Sequence, residues 1–489
     1  MIEDLRDYIA ACEEAGALHR ITAEVDWNLE LSHIAKANEE IGGPALLFEN
    51  VKDHDIPVMT SAFTTRERLA ICLEQDPTLP MSGLSRKWME LTTAELVPPT
   101  VVNHAPVLEN VIEGSDIDVN MFPTPFFYPD DGGRFIGTAH CLVTQDPDSG
   151  WTNLGTYRMQ LLEGETDVLG LHVVPGKHAD MMTKKYQARG EKMPAAVVIG
   201  CDPILYLTST TLVSAETDEY DVAGALRQSP VPVFKSDLTG LTLPAKAEII
   251  IEGYIDYDDK RLEGPLGEFT GYYSATHWPK PCFKVERILH RDKPIFWATT
   301  VGKPINDTHM LQSLNRTATL WHDLETMKIP GIEGVYVPAE STGWFWVIVS
   351  VRTMYPGHAN QVGNAVIATT TGHHGTKGVI VVDHDIAADS WKDVMWALSV
   401  RFDPKRSAQI IDRGRASPLD PSLPISERWI TSRIIMDATV PYEWDEKPQE
   451  IFMDRETMET VSERWDEYGF SIPDPIPGLI DRLTRPAGK

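Results

Sequence analysis

The stretch Glu263-Gly264-Pro265-Leu266-Gly267-Glu268-Phe269-Thr270-Gly271-Tyr272 sets two carboxylates five residues apart around a glycine–proline turn. Proline holds φ at about −65°, and glycine reaches conformations closed to other residues. The backbone could therefore aim Glu263 and Glu268 at one spot. Crowded carboxylates raise each other's pKa, which is how a protein keeps an acid protonated near neutral pH. Taken alone, the stretch reads more readily as a polar hairpin loop with two solvated glutamates.

Other polar loops precede and follow it. Asp131-Gly132-Gly133-Arg134 reads as a tight turn. In Asn153-Leu154-Gly155-Thr156-Tyr157-Arg158, Arg158 falls in a strand-like run and can point inward, where an arginine must be paired. Pro175-Gly176-Lys177-His178 carries a loop histidine, and Ser209-Thr210-Thr211 is followed by Glu219; both are ordinary in isolation. Gly372-His373-His374-Gly375-Thr376-Lys377-Gly378 has the glycines and the lysine of a phosphate cradle, but neither Walker spacing nor loop-to-helix order. H-E-x-x-H, G-x-S-x-G and a strand-following G-x-G-x-x-G are missing, so zinc peptidase, α/β-hydrolase and Rossmann readings lack their defining residues.

These loops need a scaffold. The chain has 489 residues, enough for two to four domains, and 42% hydrophobic residues, enough for a sizeable core. A net charge of −28 argues against nucleic acid and anionic membrane as partners. An anionic ligand would need a local cationic pocket. The five cysteines, Cys12, Cys72, Cys141, Cys201 and Cys282, are widely spaced, which fits a reducing cytoplasm. The first residues carry no secretory pattern, and no apolar run is long enough to span a bilayer.

From 1 to 105 the pattern predicts a small α/β unit. It has a helix on Leu5, Tyr8, Ile9 and Cys12, a strand over His19–Val25, a helix through Ile34 and Ala37, a strand over Ala45–Phe48, and a capping box Thr64-x-x-Glu67. From 106 to 305 short strands separated by Pro, Gly and Asp predict a barrel or sandwich: Phe135–Leu142, Gly155–Leu161, Ala195–Gly200, Ala247–Gly253 and Pro294–Val301, with one helix over Ala179–Arg189. From 306 to 489 the pattern returns to α/β. Helices are expected over Thr308–Met327, Ala359–Thr370 and Trp391–Val400 (the last with Trp391, Val394, Met395 and Leu398 inward), and strands over Trp344–Val351 and Gly378–Val382. A charged helix, a proline-rich turn and a short helix follow.

In order and spacing the loops together resemble the UbiD family of reversible decarboxylases. The resemblance rests on Asp131-Gly-Gly-Arg134, Asn153-x4-Arg158, Pro175-Gly-x-His178, Glu219-x4-Gly224-Ala225-Leu226, Pro244-Ala245-x-x-Glu248-Ile249 and Glu263-Gly-Pro-x-Gly-Glu268-x-x-Gly271-Tyr272. Lys377 before an apolar strand, Trp396-Ala-Leu398 and Arg464-Trp-x-x-Tyr-Gly469 continue it. It implies an N-terminal α/β domain, a central split β-barrel of the flavin-reductase type that holds prenylated FMN, and a C-terminal α/β domain that makes a homodimer. The cofactor would come from a separate flavin prenyltransferase.

By the same resemblance Asn153, His178 and Glu219 would hold Mn²⁺ or Mg²⁺, a reasonable set of mixed O/N donors. K⁺ is expected beside Glu219 and Ser209–Thr211. Asn153, Leu154, Gly155, Thr156, Tyr157, Arg158, Lys177 and His178 would line the flavin, and Lys377 would add charge at its phosphate. Lys177 departs from the Gln that many relatives carry. Arg158, Glu263 and Glu268 would be catalytic, with Glu263 ionised beside Arg158 and Glu268 the proton donor. Phe269, Thr308 and Leu311 would wall the substrate pocket, with His309, His373 and His374 as further polar candidates. The implied reaction is loss of CO₂ from an aromatic, heteroaromatic or α,β-unsaturated carboxylic acid in the cytoplasm. A flavin-binding or cofactor-maturation protein and a metal-dependent hydrolase are the alternatives.

Overall fold

The computed structural model describes residues 2–484 except Leu212 and residues 274–277. Its first part is organised by the helix Leu5–Glu14, which Asp4 caps by accepting from the Asp7 amide and which buries Leu5, Tyr8, Ile9 and Cys12. Strand Leu18–Ile21, shorter than the expected His19–Val25, pairs in parallel with Ala45–Phe48, and Val58–Thr60 runs antiparallel beside that. The fourth strand of this sheet is Phe296–Trp297, parallel to Val58–Thr60. It is all that forms of the strand expected over Pro294–Val301. The helix Arg66–Cys72 is capped by Thr65, not by the expected Thr64. Thr64 is buried and its hydroxyl accepts instead from the Arg68 guanidinium. A further helix, Met81–Thr92, has no counterpart in the sequence reading.

The central part is a nine-stranded antiparallel sheet curled into a half-barrel. Eight strands follow one path: Phe135–Gly137, Met159–Leu161, Val168–Leu171, Trp278–His290, Ile249–Glu263, Met193–Ile199, His140–Gln145 and Thr152–Gly155. Asn110–Glu113 pairs with Trp278–His290 off that path. Ile249–Ile251 and Ala195–Ile199 are fully buried β-formers at the middle of this sheet. Two expected strands are each broken in two. Phe135–Leu142 is interrupted after Gly137, and Gly155–Leu161 leaves the ladder at residues 156–158. The expected Ala247–Gly253 runs on to Glu263. Helices Pro203–Ser209 and Glu219–Arg227 accompany the expected one, found at His178–Arg189.

The last part has a mixed five-stranded sheet in the order Ile332–Tyr336, Trp346–Val351, Gly378–Asp383, Ile430–Ala438 and Ala408–Arg415. The helix Asp307–Thr326 joins it to the half-barrel. His358–Ala368 covers the sheet. On Trp391–Val400 the buried residues are Val394 and Ala397; Trp391 and Met395, expected inward, are exposed. Polar bonds tie the parts together. Glu248, fully buried, takes a bidentate pair from Arg6 at 2.8 Å each. Asp307 accepts the Ala62 and Phe63 amides at 3.1 and 2.7 Å, fixing the start of the long helix on the N-terminal part. Among the described residues no helix is long and apolar enough to cross a membrane.

Candidate active site

The strand Ile249–Glu263 ends in Glu263, and the chain then turns through Gly264 and Pro265 to Glu268. This turn is held from outside itself. The Gly132 amide donates to the Pro265 carbonyl at 2.7 Å, and the Gln160 carboxamide bridges the Gly264 amide and the Gly132 carbonyl, both at 2.8 Å. Asp131 accepts the Gly267 and Tyr128 amides at 2.9 and 3.0 Å. Gly132 must be glycine here, because a Cβ would sit 1.9 Å from the Gly264 carbonyl oxygen. The Asp131–Arg134 loop, a plain tight turn by sequence, is therefore the clamp on the glutamate loop. Burial pushes the Asp131 carboxyl up to about 6 against the pull of those two amides.

Arg158 stands where its strand run has left the ladder, so its side chain is free to reach across the half-barrel. Its guanidinium grips Glu263 in a fork, Nε to Oε1 at 2.7 Å and Nη2 to Oε2 at 2.9 Å, and its Nη1 donates to Glu268 Oε1 at 2.6 Å. The Glu263 side chain is 1% exposed and the Glu268 side chain 14%. Burial alone would raise the Glu263 pKa. His172 and Arg158 outweigh it and hold the carboxyl down at about 2. Of the two, Arg158 is the stronger partner in this geometry, since His172 Nδ1 is 3.7 Å from Oε2. Glu263 is therefore an ionised anchor, and Glu268 is the carboxylate presented to the cavity.

The second group gathers at the start of two helices. His178 opens the helix His178–Arg189, and its Nδ1 lies 3.1 Å from Asn153 Oδ1. Asn153 also donates to Thr144 at 3.1 Å. Glu219 opens Glu219–Arg227 and accepts the Leu154 amide at 3.0 Å. Burial pushes its carboxyl up to about 8. Burial, then the neighbouring Lys177, lowers the His178 pKa. Among the described residues no three His, Cys, Asp or Glu side chains cluster as a metal site; the grouping here has one histidine, one acid and an amide.

One cavity of about 360 Å³ collects these groups. It is lined by Asn153 to Arg158, Lys177, His178, Glu219, Glu268, Phe269, Thr308 and Leu311, with Ser209, Thr210 and Thr211 on its wall. Lys377 is not among the lining residues. Its ammonium is 3.1 Å from Asp420 Oδ2 and 2.6 Å from the Ser422 hydroxyl. His309 is fully buried and engages the Phe269 carbonyl at 2.7 Å, so it shapes the wall from behind. His373 and His374 do not line the cavity either. The sequence reading missed Asp131 and Gln160 as positioning residues. Gln160 lies two residues beyond Arg158, and His172 in the loop after the next strand, but local sequence carries no sign of the loop they hold.

An antiparallel half-barrel between two α/β parts, with an Arg–Glu–Glu group facing a mixed O/N donor set, is the architecture of a flavin-dependent carboxy-lyase family. Family models for the N-terminal domain, the Rift-related domain and the C-terminal domain of 3-octaprenyl-4-hydroxybenzoate carboxy-lyase match residues 9–88, 100–304 and 309–438. An uncharacterised protein of Archaeoglobus fulgidus is 35% identical, the match covering 95% of this chain and 98% of that one. Among solved structures, the vanillic acid decarboxylase of Sedimentibacter hydroxybenzoicus in its open form has TM-score 0.85 and 29% identity, over 96% of this chain and 100% of that one. The UbiD-class enzyme HmfF of Pelotomaculum thermopropionicum, solved with FMN, has TM-score 0.84 and 28% identity, over 92% and 97%. The 3,4-dihydroxybenzoic acid decarboxylase of Klebsiella pneumoniae has TM-score 0.82 and 26% identity, over 94% and 99%. The chain belongs to the UbiD family, and it is an enzyme of the carboxy-lyase class.

Proposed function

We propose that the protein is a prenylated-FMN-dependent, reversible decarboxylase of an aromatic, heteroaromatic or α,β-unsaturated carboxylic acid. The observation that carries this reading is the Arg158 guanidinium shared between a buried Glu263 and a cavity-facing Glu268. Two observations support the cofactor: the backbone from Asn153 to Arg158 lines the cavity, and the similar enzyme HmfF has been solved with both FMN and prFMN. When bound, the prenylated flavin supplies the electron sink that loss of CO₂ requires. Asn153, His178 and Glu219 would hold Mn²⁺ or Mg²⁺, which would supply positive charge for the anionic cofactor. The donor types suit such an ion, and a cation bound there would offset the burial that raises the Glu219 carboxyl to about 8. K⁺ would sit by Glu219 and the Ser209–Thr211 hydroxyls. Lys377 would reach the phosphate only by leaving Asp420.

The chain's own residues then have separable tasks. The Arg158 fork keeps Glu263 ionised, and Glu263 in return fixes the guanidinium plane. A substrate carboxylate entering the cavity competes with Glu268 for Arg158 Nη1. Losing that cation favours the protonated form of Glu268, which can then deliver a proton to the carbon that CO₂ has left. Phe269, packed 5.6 Å from Trp344, and Leu311 supply an apolar wall that keeps water from competing for that carbon. Exposed Trp391, Trp396, Val400 and Ile410 in the C-terminal part support a homodimer. A flavin prenyltransferase would be the source of cofactor.

The test is Glu268→Gln, produced together with a flavin prenyltransferase. It should retain flavin absorbance and lose CO₂ release by about 10²-fold or more, the usual size of a general-acid contribution. Turnover close to wild type would overturn the assignment. A pure flavin carrier has no need of three converging charges, and a metal hydrolase would be active without flavin.

A further inference from the structure

The proposed cation donors come from three separate elements. Asn153 lies in the strand Thr152–Gly155, and His178 and Glu219 are the first residues of the helices His178–Arg189 and Glu219–Arg227. One side chain is tied to all three. Trp151 stands two residues before Asn153. Its ring meets the His178 imidazole with centroids 4.8 Å apart and planes at 71°, the near-perpendicular packing that aromatic rings favour. Its indole Nε1 donates to the Thr217 carbonyl at 2.8 Å. Thr217 precedes Asp218, which caps the Glu219 helix by accepting the Tyr220 amide at 3.0 Å. Trp151 is itself fixed: its carbonyl accepts the Asp146 amide at 2.8 Å, and its side chain packs on the core.

The His178 ring needs this support. Its Nδ1 lies 3.1 Å from Asn153 Oδ1, and among the described residues its Nε2 has no hydrogen-bond partner. A metal-ligating histidine is ordinarily aimed by a carboxylate, a carbonyl or a water on its other nitrogen. Here the neighbour of Nδ1 belongs to the donor set. Among the described residues no hydrogen bond from outside the set therefore holds the imidazole. The Tyr157 hydroxyl accepts the Ala179 amide at 3.3 Å, which fixes the start of the helix but not the ring. The plane of the imidazole is left to the Trp151 contact.

We propose that Trp151 is a positioning residue for the cation site. Its ring sets the plane of His178, and its indole N–H ties the approach to Glu219 to the strand that carries Asn153. It acts through His178 and Thr217 and is not among the residues that line the cavity. The inference rests on the donor set proposed for Mn²⁺ or Mg²⁺ and adds the side chain that keeps the three donors in register.

The test uses Mn²⁺ as the probe and needs no turnover. The full-length chain, freed of metal by a chelator and held in excess FMN, is titrated with Mn²⁺. Free Mn²⁺ is counted by its electron paramagnetic resonance, and spin-echo modulation reports whether a nitrogen is bound to the ion. Wild type should show the nitrogen modulation. Trp151→Leu should bind Mn²⁺ about 10- to 100-fold more weakly, the usual cost of losing a group that orients a ligand, and should lose most of that modulation. Trp151→Phe keeps a ring but not the donor to Thr217, so it should retain the modulation and lose affinity only severalfold. Should Trp151→Leu fail to fold, Trp151→Met makes the same comparison. Wild-type affinity and modulation in the aliphatic variant would overturn the inference. Weaker binding with the modulation intact would also overturn it, because that reports general loosening and not a misplaced imidazole. Wild type binding Mn²⁺ without nitrogen modulation would remove His178 from the donor set and the inference with it. None of these results depends on CO₂ release, so the decarboxylase reading stands or falls separately, on the Glu268→Gln assay.

Discussion

Replacing Glu263 by Gln keeps the shape and removes the charge that Arg158 holds in its fork. The carboxyl drops from an ordinary 4.5 to about 2, which corresponds to ~3 kcal/mol of folding stability at neutral pH. That agrees with the ~3–5 kcal/mol typical of breaking one half of a buried ion pair. The sign follows from the depressed value. The stabilisation is complete above the unfolded value near 4.5 and is lost as pH falls through the folded value near 2, so by linkage about 1.4 kcal/mol remains at pH 3. Chemical denaturation of wild type and Glu263→Gln at pH 7, 5 and 3, followed through the transition of the central sheet, measures the gap. It should be near 3 kcal/mol at pH 7, nearly the same at pH 5, and about halved at pH 3. Other carboxylates titrate in this window too, but they are common to both proteins and cancel in the difference. A gap below about 1 kcal/mol at pH 7, or one that does not change with pH, would refute the claim that Arg158 and Glu263 are a buried, charged pair.

Other consequences are separable. Gly132→Ala places a Cβ against the Gly264 carbonyl. It should cost ~1–3 kcal/mol by overpacking and lower kcat about 10²-fold through the displaced glutamates, with flavin content unchanged; unaffected kcat would show that the clamp is dispensable. Asp131→Ala leaves the Gly267 and Tyr128 amides without their acceptor and should destabilise by ~1–3 kcal/mol, measured by denaturation, whereas Asp131→Asn should recover part of it. His178→Ala should lose metal and flavin together, read by elemental analysis and absorbance; full flavin in the purified variant would remove His178 from the ligand set.

What the sequence shows of this molecule depends on the range of the interaction. Local periodicity suffices to place helices at Leu5–Glu14 and Trp391–Val400, though not to find the inward face of the second, where Val394 and Ala397 are buried. It fails at Trp278–His290, a 13-residue strand whose Pro279 and Pro281 read as punctuation but are tolerated because the strand's ladder to Ile249–Glu263 shifts register nearby. It fails at Thr156–Arg158, where an unbroken apolar alternation conceals the exit from the ladder that frees Arg158. The candidate residues were legible as an ordered set of loops. The contacts that position them were not: Asp131 to Gly267, Gln160 to Gly264 and His309 to Phe269 each join residues 40 or more positions apart. Lys377 shows the same limit, since nothing in its glycine-rich loop announces the ion pair with Asp420.

The two glutamates owe their different characters to the elements that carry them. Glu263 is the buried last residue of the strand Ile249–Glu263, paired there with Trp278 and held by the Arg158 fork, so neither its position nor its ionisation follows the ligand. Glu268 lies past the turn, in a loop fixed by backbone contacts from Asp131 and Tyr272 that leave its side chain facing the cavity. Arg158 bonds to both, in a fork to the first and through Nη1 to the second. An anion entering the cavity competes for Nη1 with the carboxylate that lines it. The carboxylate that must gain and lose a proton is the one that faces the cavity, and the one that must stay ionised is the one buried in the arginine fork. A five-residue spacing across a glycine–proline turn achieves this because the turn divides a buried strand end from a clamped loop whose carboxylate faces the cavity.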